Sequence, residues 1–292
     1  MQGERAYIYA KACGMIAKSF VEDRVSRLSA VSSIETLDDL VFGVVNSVEN
    51  IDDIEKRLTQ REHEAIAKIL KCFSRVPPLL SLLAESDNPA QNPSDEKNAS
   101  SPETLDIAEI TRQNNGYYTA LWHELEKTPL SDRKLIGPVI ADEIRLKNAV
   151  WALRLRVYYN MSSEDIKGFL TAIKPKANQS PLHNDALKSL ELDIEEEAQW
   201  HDWRFWKYVN KPISGQYWKI DPRYFQNQAS LHLYHLARKS LRKSPFTLDT
   251  ACCFIKLKQF EKEVLTSVAE AVRLGLTGGD ALEILGLPKK AA

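Results

Sequence analysis

Residues 247–286 carry a helical pattern that recurs twice earlier in the chain, and this stretch constrains the fold most. At the helical period of about 100° per residue, apolar side chains fall on one narrow stripe and charged side chains occupy the opposite side. The stripe consists of Cys253, Leu257, Phe260, Val264, Val268 and Ala271. Thr247 suits the N-cap position, and Gly275 suits the left-handed residue that follows a helix. The pattern predicts a long amphipathic helix with one buried face.

Glu261 interrupts this apolar stripe. A carboxylate on a buried face loses its hydration, so we expect Glu261 to have a charged or hydrogen-bonding partner. Lys258 lies three residues earlier on the same helix and is one candidate. An arginine from a neighbouring helix is the other candidate, and the sequence leaves both open.

A short second helix follows the long one, and the same arrangement occurs at two earlier places. A hydrophobic staple residue, an N-cap, an acid three residues later and a final leucine mark each short helix. These residues are Leu276, Thr277, Asp280 and Leu285 in the last copy, Met161, Ser162, Asp165 and Leu170 behind the apolar run 131–159, and Val31, Ser32, Glu35 and Leu40 behind the run 4–28. Three copies of a long helix, a tight turn and a capped short helix predict a threefold internal repeat.

The remaining segments also show helical patterns, and they are separated by breaks rich in proline. Residues 86–102 contain Pro, Asn and Ser without a large apolar residue, so they are predicted to form an exposed, flexible loop. The pattern divides the chain into approximate lobes at 1–85, 103–180 and 181–292. No run of alternating apolar residues with hairpin turns occurs, so the predicted class is all-α.

Several of these motifs resemble the C subunit of the V-type and A-type ATPases, whose eukaryotic equivalent is the d subunit. In the last long helix, an aromatic residue, a Lys-x-Lys pair and a glutamate precede an apolar helix and a Gly-Leu turn. These residues are Phe254, Lys256, Lys258, Glu261, Gly275 and Leu276. The middle copy resembles the family's series of an acid, an asparagine and arginines at Glu143, Asn148, Arg154 and Arg156, and residues 7–11 resemble its N-terminal helix. The resemblance covers nearly the whole chain, although Val264 stands where many members have Asn.

This resemblance implies a noncatalytic coupling subunit of a rotary V/A-type ATPase. Such a subunit is a peripheral part of the complex on the cytoplasmic side of the membrane. It links the central-stalk subunits to the proteolipid ring and transmits torque between ATP chemistry and proton or sodium movement. The implied body is compact and all-α, with three pseudo-repeated lobes around a central socket for the stalk tip. Its only expected contact with the membrane is through the ring.

Composition argues against several other classes. Of the 292 residues, 43% are hydrophobic, which is enough for a substantial core. The formal net charge is −1, so a general attraction to nucleic acid is not expected. No uninterrupted apolar run approaches the roughly 18 residues of a membrane-spanning helix. Acids at Glu4, Glu22 and Asp23 argue against a secretory signal or transit peptide, and the four cysteines favour a reducing, cytoplasmic compartment.

Two histidines and two cysteines are the residues best suited to an alternative chemistry. His232, His235, Cys252 and Cys253 could be combined into a zinc site, or a cysteine could act as a nucleophile beside a histidine. Adjacent cysteines reach one tetrahedral metal poorly, and Cys253 already lies on the apolar stripe, so core packing is favoured. No phosphate-binding loop or nucleophile-elbow motif occurs. We therefore expect no catalytic residue, no metal and no cofactor.

An aromatic segment and a basic cluster complete the candidate residues. Residues 194–209 are predicted to form a helix rich in tryptophan, in which Trp203 and Trp206 are candidates for the core or for a protein interface. Stacking on nucleic-acid bases is the weaker alternative, because several acids share the segment. Arg238, Lys239, Arg242 and Lys243 form a small basic face. It is either a solvated helix end or a contact for an acidic partner.

Two function classes remain as alternatives to the coupling role. One is a soluble all-α scaffold or adaptor protein that is unrelated to ATPases. The other is a metal-dependent or thiol enzyme built on the histidines and cysteines named above. Neighbouring genes for ATPase subunits with nucleotide-binding motifs and for a proteolipid would favour the coupling role, whereas bound zinc would favour the enzyme.

Overall fold

The computed structural model describes residues 2–21, 23–43, 51–85, 107–175 and 180–288, and within these ranges the regular secondary structure is helical. The all-α prediction is therefore confirmed. The α-helices are α1 (Gln2–Ile16), α2 (Ile34–Phe42), α3 (Ile51–Leu70), α4 (Pro78–Ala84), α5 (Ile107–Lys127), α6 (Leu130–Tyr158), α7 (Ser163–Gly168), α8 (Asn184–Glu191), α9 (Pro222–Lys243), α10 (Leu248–Arg273) and α11 (Gly278–Ile284). Short 3-10 helices occur at Val25–Ala30, Glu197–Trp200 and Trp206–Tyr208. The predicted loop 86–102 lies outside the described residues.

The chain divides into two compact units. Unit 1 combines residues 1–80 with residues 230–292, and unit 2 consists of residues 81–229. The predicted arrangement of three lobes around a socket stays a prediction.

Unit 1 is built around α10, which contacts α1, α2, α3 and α11. All six residues of the predicted apolar stripe are buried, which confirms the amphipathic pattern. The helix ends as predicted, because Gly275 follows it with a φ of 80°, a left-handed conformation that glycine adopts without strain. Thr247 occupies the N-cap position, but its hydroxyl donates to the Ser244 carbonyl at 2.7 Å and makes no capping bond.

The short helix α11 begins with the predicted capping box. The Thr277 hydroxyl accepts from the Asp280 N–H at 3.2 Å, and the Asp280 carboxylate accepts from the Thr277 N–H at 2.9 Å. The N–H of Gly278 donates to the Val31 carbonyl at 2.8 Å, which docks α11 on the 3-10 helix Val25–Ala30. A Cβ atom on Gly278 would lie only 1.9 Å from the Leu28 carbonyl oxygen. This close approach requires glycine.

Unit 2 is organised by α6, which contacts α5, α7 and α8. Ser162 caps α7 as predicted, since its hydroxyl accepts from the Asp165 N–H at 3.2 Å. Residues of α6, α7 and α8 form one apolar core cluster. Its buried members are Ala152, Leu155, Ile166, Leu170, Ala186 and Leu190.

The first predicted copy of the repeat differs from the structure. The run 4–28 is not one long helix, because α1 ends at Ile16 and the chain then turns before the 3-10 helix. The N–H of Phe20 donates to the Glu261 carboxylate instead of continuing a helical ladder. The N-cap of α2 is Ser33 and not Ser32, because Ser33 makes a capping box with Thr36.

The prediction of a continuous helix over residues 194–209 is also wrong. Two 3-10 helices and intervening turns replace it. The indole N–H groups of Trp200 and Trp203 donate to the backbone carbonyls of Asp193 at 2.6 Å and Asp185 at 2.8 Å. These bonds to carbonyls outside the segment fix it in an irregular path.

Candidate functional site

Lys258 and Glu261, two residues of the family-like motif of α10, lie at the centre of a buried ionic network. Lys258 and Glu261 pair at 2.6 Å, and their side chains are only 7% and 5% exposed. The Lys258 ammonium also donates to the Ser19 hydroxyl at 2.5 Å. The second oxygen of Glu261 accepts from the backbone N–H of Phe20 at 2.9 Å. The network therefore ties α10 to the segment that follows α1.

Arg61 of α3 brings a second cation to the same carboxylate, at 3.3 Å from Glu261. Both partners that the sequence left open for Glu261 are thus present. The Arg61 guanidinium also lies 5.6 Å from the centre of the Phe20 ring, and Arg24 lies 4.6 Å from that centre. Lys262, one turn after Lys258 on α10, lies 3.5 Å from the buried Glu62 of α3. Ionic contacts therefore join α10 to α3.

Burial sets the protonation behaviour of this network. Loss of hydration lowers the pKa of the Lys258 ammonium, and the charge of Glu261 opposes that shift. A buried ammonium without its carboxylate would be strongly disfavoured. The charged state of Lys258 therefore depends on the presence of the Glu261 carboxylate.

Phe254, the aromatic residue of the motif, is fully buried in unit 1. The Lys258 ammonium lies 6.0 Å from the centre of its ring. An inaccessible ring stabilises its own unit and offers no contact surface. We therefore assign Phe254 a structural role in the core, in contact with the ionic network.

In unit 2, Asn148 of α6 makes a buried polar contact with Thr171. Its side-chain amide donates to the Thr171 carbonyl at 3.2 Å, and its oxygen accepts from the Thr171 N–H at 2.8 Å. Both residues are buried. The Thr171 hydroxyl in turn contacts the side chain of Asn115 on α5. Asn148 therefore joins α6 to the segment after α7, and Thr171 extends the contact to α5.

The charged candidates on α6 differ in their surroundings. Glu143 is buried at 5% exposure, whereas Arg154 is half-buried. Arg156 donates to the backbone carbonyls of Ser189 at 2.9 Å, in the last turn of α8, and of Leu192 at 2.6 Å, directly after that helix. Burial lowers the pKa of Arg156, which nonetheless keeps its charge because its ordinary value is so high.

The two candidate tryptophans occupy different environments in unit 2. Trp203 is only 4% exposed and packs edge-on against Trp200 and Phe205 and tilted on Phe225, with ring centres 5.2 to 5.4 Å apart. Trp206 is half-buried, between the His201 ring at 4.4 Å and the Lys211 ammonium at 3.8 Å. Trp203 is therefore a core residue, while Trp206 presents part of its ring to the surface.

The residues considered for metal or thiol chemistry lie in unit 1. Cys252 and Cys253 are buried, and the Cys253 thiol donates to the Asp249 carboxylate at 3.3 Å. Burial, reinforced by the charge of Asp249, raises the pKa of the Cys253 thiol well above its ordinary value. Across the described ranges, no group of three or more His, Cys, Asp or Glu residues is arranged to hold a metal ion.

Lys258, Glu261, Asn148 and Arg156 are therefore internal braces that connect their helices to other segments. The sequence pattern indicated Lys258, Glu261 and Asn148, and it anticipated an arginine partner for Glu261 without identifying it as Arg61. It did not indicate Ser19 or Thr171. Ser19, Arg61 and Thr171 are separated from the residues they contact by 23 to 239 positions in the sequence. No local sequence pattern can therefore indicate these contacts. None of the described helices is long and apolar enough to cross a membrane.

Comparison with known proteins identifies the family. The family described as ATP synthase (C/AC39) subunit matches residues 103–280. This range contains the candidate residues Glu143, Asn148, Arg154, Trp203, Trp206, Phe254, Lys258 and Glu261. An uncharacterized protein of Treponema pallidum (strain Nichols) is 28% identical over 176 residues, which cover 60% of this chain and 52% of that protein. The chain thus spans about half the length of this relative, and no solved structure matches it. Because the family match extends over more than half of its residues, the chain belongs to the ATP synthase (C/AC39) subunit family.

Proposed function

We propose that the chain is a noncatalytic coupling subunit of a V/A-type ATPase. It links the central-stalk subunits to the proteolipid ring and transmits torque for ATP-driven proton or sodium transport, or for ATP synthesis. Its place is peripheral, on the cytoplasmic side of the membrane. The family match over residues 103–280 is the observation that carries this proposal.

The internal braces support the mechanical part of the proposal. A subunit that transmits torque must resist shear between its helices. In unit 1, ionic contacts from α10 to α3 and to the segment after α1 oppose such sliding, because each would have to separate a buried or half-buried pair. In unit 2, Asn148 and Arg156 anchor α6 to neighbouring backbone groups in the same way.

The first test is binding by the purified full chain. We expect it to bind a central-stalk subunit and a detergent-solubilised proteolipid ring, and to show no ATPase activity of its own. Trp206→Ala tests the surface that is best suited to an aromatic anchor, and a loss of more than about 2 kcal/mol in binding free energy is expected if Trp206 is a hot spot. Trp122→Ala, which truncates another half-buried tryptophan of unit 2, is the matched control. Circular dichroism on each variant verifies folding.

The second test addresses torque transmission directly. An ATPase reconstituted in vesicles without the chain should hydrolyse ATP without pumping ions, and addition of the chain should restore pumping. Unchanged pumping in its absence would refute a coupling role. Failure to bind either partner class while the chain is folded would refute the coupling role and favour a helical scaffold or adaptor protein.

A further inference from the structure

Cationic residues of unit 1 are concentrated at one place, although the whole chain has a formal net charge of −1. Three segments contribute to it, namely residues 3–11 of α1, residues 68–75 at and after the end of α3, and residues 238–247 at the end of α9 and the following turn. We call these three segments the basic end. Its cations are Arg5, Lys11, Lys68, Lys71, Arg75, Arg238, Lys239, Arg242 and Lys243, and its one acid is Glu4.

Direct contacts hold the three segments together. The Lys11 ammonium donates to the Lys68 carbonyl at 2.8 Å, and the Glu4 carboxylate accepts from the Ser74 N–H at 3.0 Å. The first half of α1 is thereby fixed to the end of α3. On another side of α1, the Tyr9 ring meets the Phe246 ring edge-on with centres 5.4 Å apart. The turn after α9 therefore belongs to the same end of the unit.

Two large aromatic rings are exposed among these cations. Tyr7 is 59% exposed, with the Lys11 ammonium 5.6 Å from its ring centre, and Phe246 is 49% exposed. Phe246 has a φ of 64°, in the left-handed region that bulky side chains rarely adopt. Strained backbone of this kind tends to persist at functional positions. Here it displays an apolar ring beside the exposed side chains of Lys243 and Arg242.

We propose that the basic end adsorbs to the surface of anionic phospholipid bilayers. Its exposed lysines would contact headgroup phosphates, while Tyr7 and Phe246 would lie at the level of the headgroups. Clustered cations attract anionic leaflets, and aromatic rings favour the boundary between water and hydrocarbon. An acidic protein segment would satisfy the cations equally well but would leave the exposed rings without a role. This inference depends on the geometry of unit 1 and not on the family assignment. It adds a direct lipid contact to the contact through the ring that the family resemblance implies.

Flotation of the full chain with lipid vesicles tests the proposal. We expect binding to vesicles of phosphatidylcholine mixed with phosphatidylserine, no binding to phosphatidylcholine alone, and weaker binding at high salt. The double variant Lys239→Gln/Lys243→Gln should weaken the partition coefficient about 30-fold, since each lysine near an anionic surface contributes about a fivefold effect. The control Lys134→Gln/Lys188→Gln removes the same charge from exposed lysines of unit 2 and should change binding little.

Phe246→Asn separates membrane binding from folding. Asparagine tolerates a left-handed backbone, so the variant removes the ring without adding strain. The bound fraction should fall while the thermal melting temperature stays close to that of the parent chain. A melting temperature that falls sharply would assign the ring to the fold and overturn its proposed role.

Several results would overturn the lipid proposal itself. Equal binding to both kinds of vesicle, or an equal loss in the unit 2 control, would show that the basic end does not recognise anionic lipid. Saturable competition by inorganic phosphate at constant ionic strength would indicate a discrete phosphate site instead. Binding of polyglutamate that depends on Lys239 and Lys243, in the absence of vesicle binding, would identify the surface as a contact for an acidic protein.

Discussion

Lys258 and Glu261 lie one turn apart on α10 and form an ion pair of 2.6 Å that is almost completely withdrawn from solvent. Ser19, Phe20 and Arg61 complete the hydrogen bonds and charges around this pair. A buried ion pair adds little net stability compared with apolar packing, but removal of one partner leaves an uncompensated charge. The pair therefore makes the fold of unit 1 sensitive to single substitutions.

Glu261→Ala should lower the free energy of unfolding by about 3 kcal/mol, because it removes the carboxylate that neutralises Lys258. Chemical denaturation followed by circular dichroism measures this change. Glu270→Ala is the matched control on the same helix. Its partner Arg273 is 40% exposed, so the loss should be below about 1 kcal/mol. Similar small losses in both variants would contradict the buried arrangement.

Gly278→Ala should destabilise unit 1 by about 3 kcal/mol, because the new Cβ would overlap the Leu28 carbonyl oxygen. Relief would require α11 to move away from the 3-10 helix Val25–Ala30 and to lose the bond from Gly278 to Val31. Gly14→Ala, within α1, is the control. No atom lies within 4 Å of its added Cβ, so this substitution should stabilise by about 0.5 kcal/mol through helix propensity. Equal melting temperatures for the two variants would count against the docking of α11.

Thiol alkylation of the native chain should separate the cysteines into two pairs. Cys13 and Cys72 are partly exposed and should react with iodoacetamide, whereas Cys252 and Cys253 are buried and should be protected. The raised pKa of Cys253 keeps its thiol protonated and unreactive at neutral pH. Peptide mass spectrometry identifies the modified residues, and denaturant should make all four reactive. Rapid modification of Cys253 without denaturant would contradict its burial.

The pattern of helix ends was predictable where the signal is local. A capping box places its two partners three residues apart, so the sequence alone located the start of α7 at Ser162 and of α11 at Thr277. The burial of α10 followed from its period in the same way. At the start of α2, the pattern predicted Ser32 with Glu35 as the cap, whereas the bonds of Thr36 make the adjacent Ser33 the N-cap.

Contacts between distant segments account for what the sequence did not predict. The end of α1 depends on the bond from Phe20 to Glu261, which spans 241 residues. The irregular path after residue 194 depends on indole bonds to carbonyls that are 7 and 18 residues away. Unit 1 likewise combines residues 1–80 with residues 230–292, a pairing that no local periodicity expresses.

Acidification should destabilise the chain partly through His183. Burial, with the nearby charge of Lys174, lowers the pKa of His183 below its ordinary value of 6.5. The unfolded chain then binds the proton more readily, so stability is lost as pH falls through about 6.5. The His183→Gln variant should show a shallower loss of melting temperature between neutral and mildly acidic pH. A loss of melting temperature as steep as that of the parent would contradict this role of His183.

Asn148→Ala should destabilise unit 2 by about 2 kcal/mol, because it leaves the N–H of Thr171 buried without a partner, while the Thr171 carbonyl keeps only its bond from the Ile173 N–H at 3.1 Å. The chain contains a matched control at Asn210, which makes the same two kinds of bond. Its amide donates to the Lys219 carbonyl at 2.9 Å, and its oxygen accepts from the Asp221 N–H at 2.8 Å. Both of those bonds are exposed, so water can replace the lost amide.

Asn210→Ala should therefore cost less than about 1 kcal/mol, and denaturant titration of the two variants compares the sites directly. Asn148→Asp refines the comparison. The carboxylate still accepts from the Thr171 N–H, but it faces the Thr171 carbonyl without a hydrogen to donate when it is ionised. The Asp variant should consequently recover stability as acid protonates the new carboxyl group, whereas Asn148→Ala should gain no such recovery. Equal costs for Asn148→Ala and Asn210→Ala would show that burial does not strengthen the contact between Asn148 and Thr171.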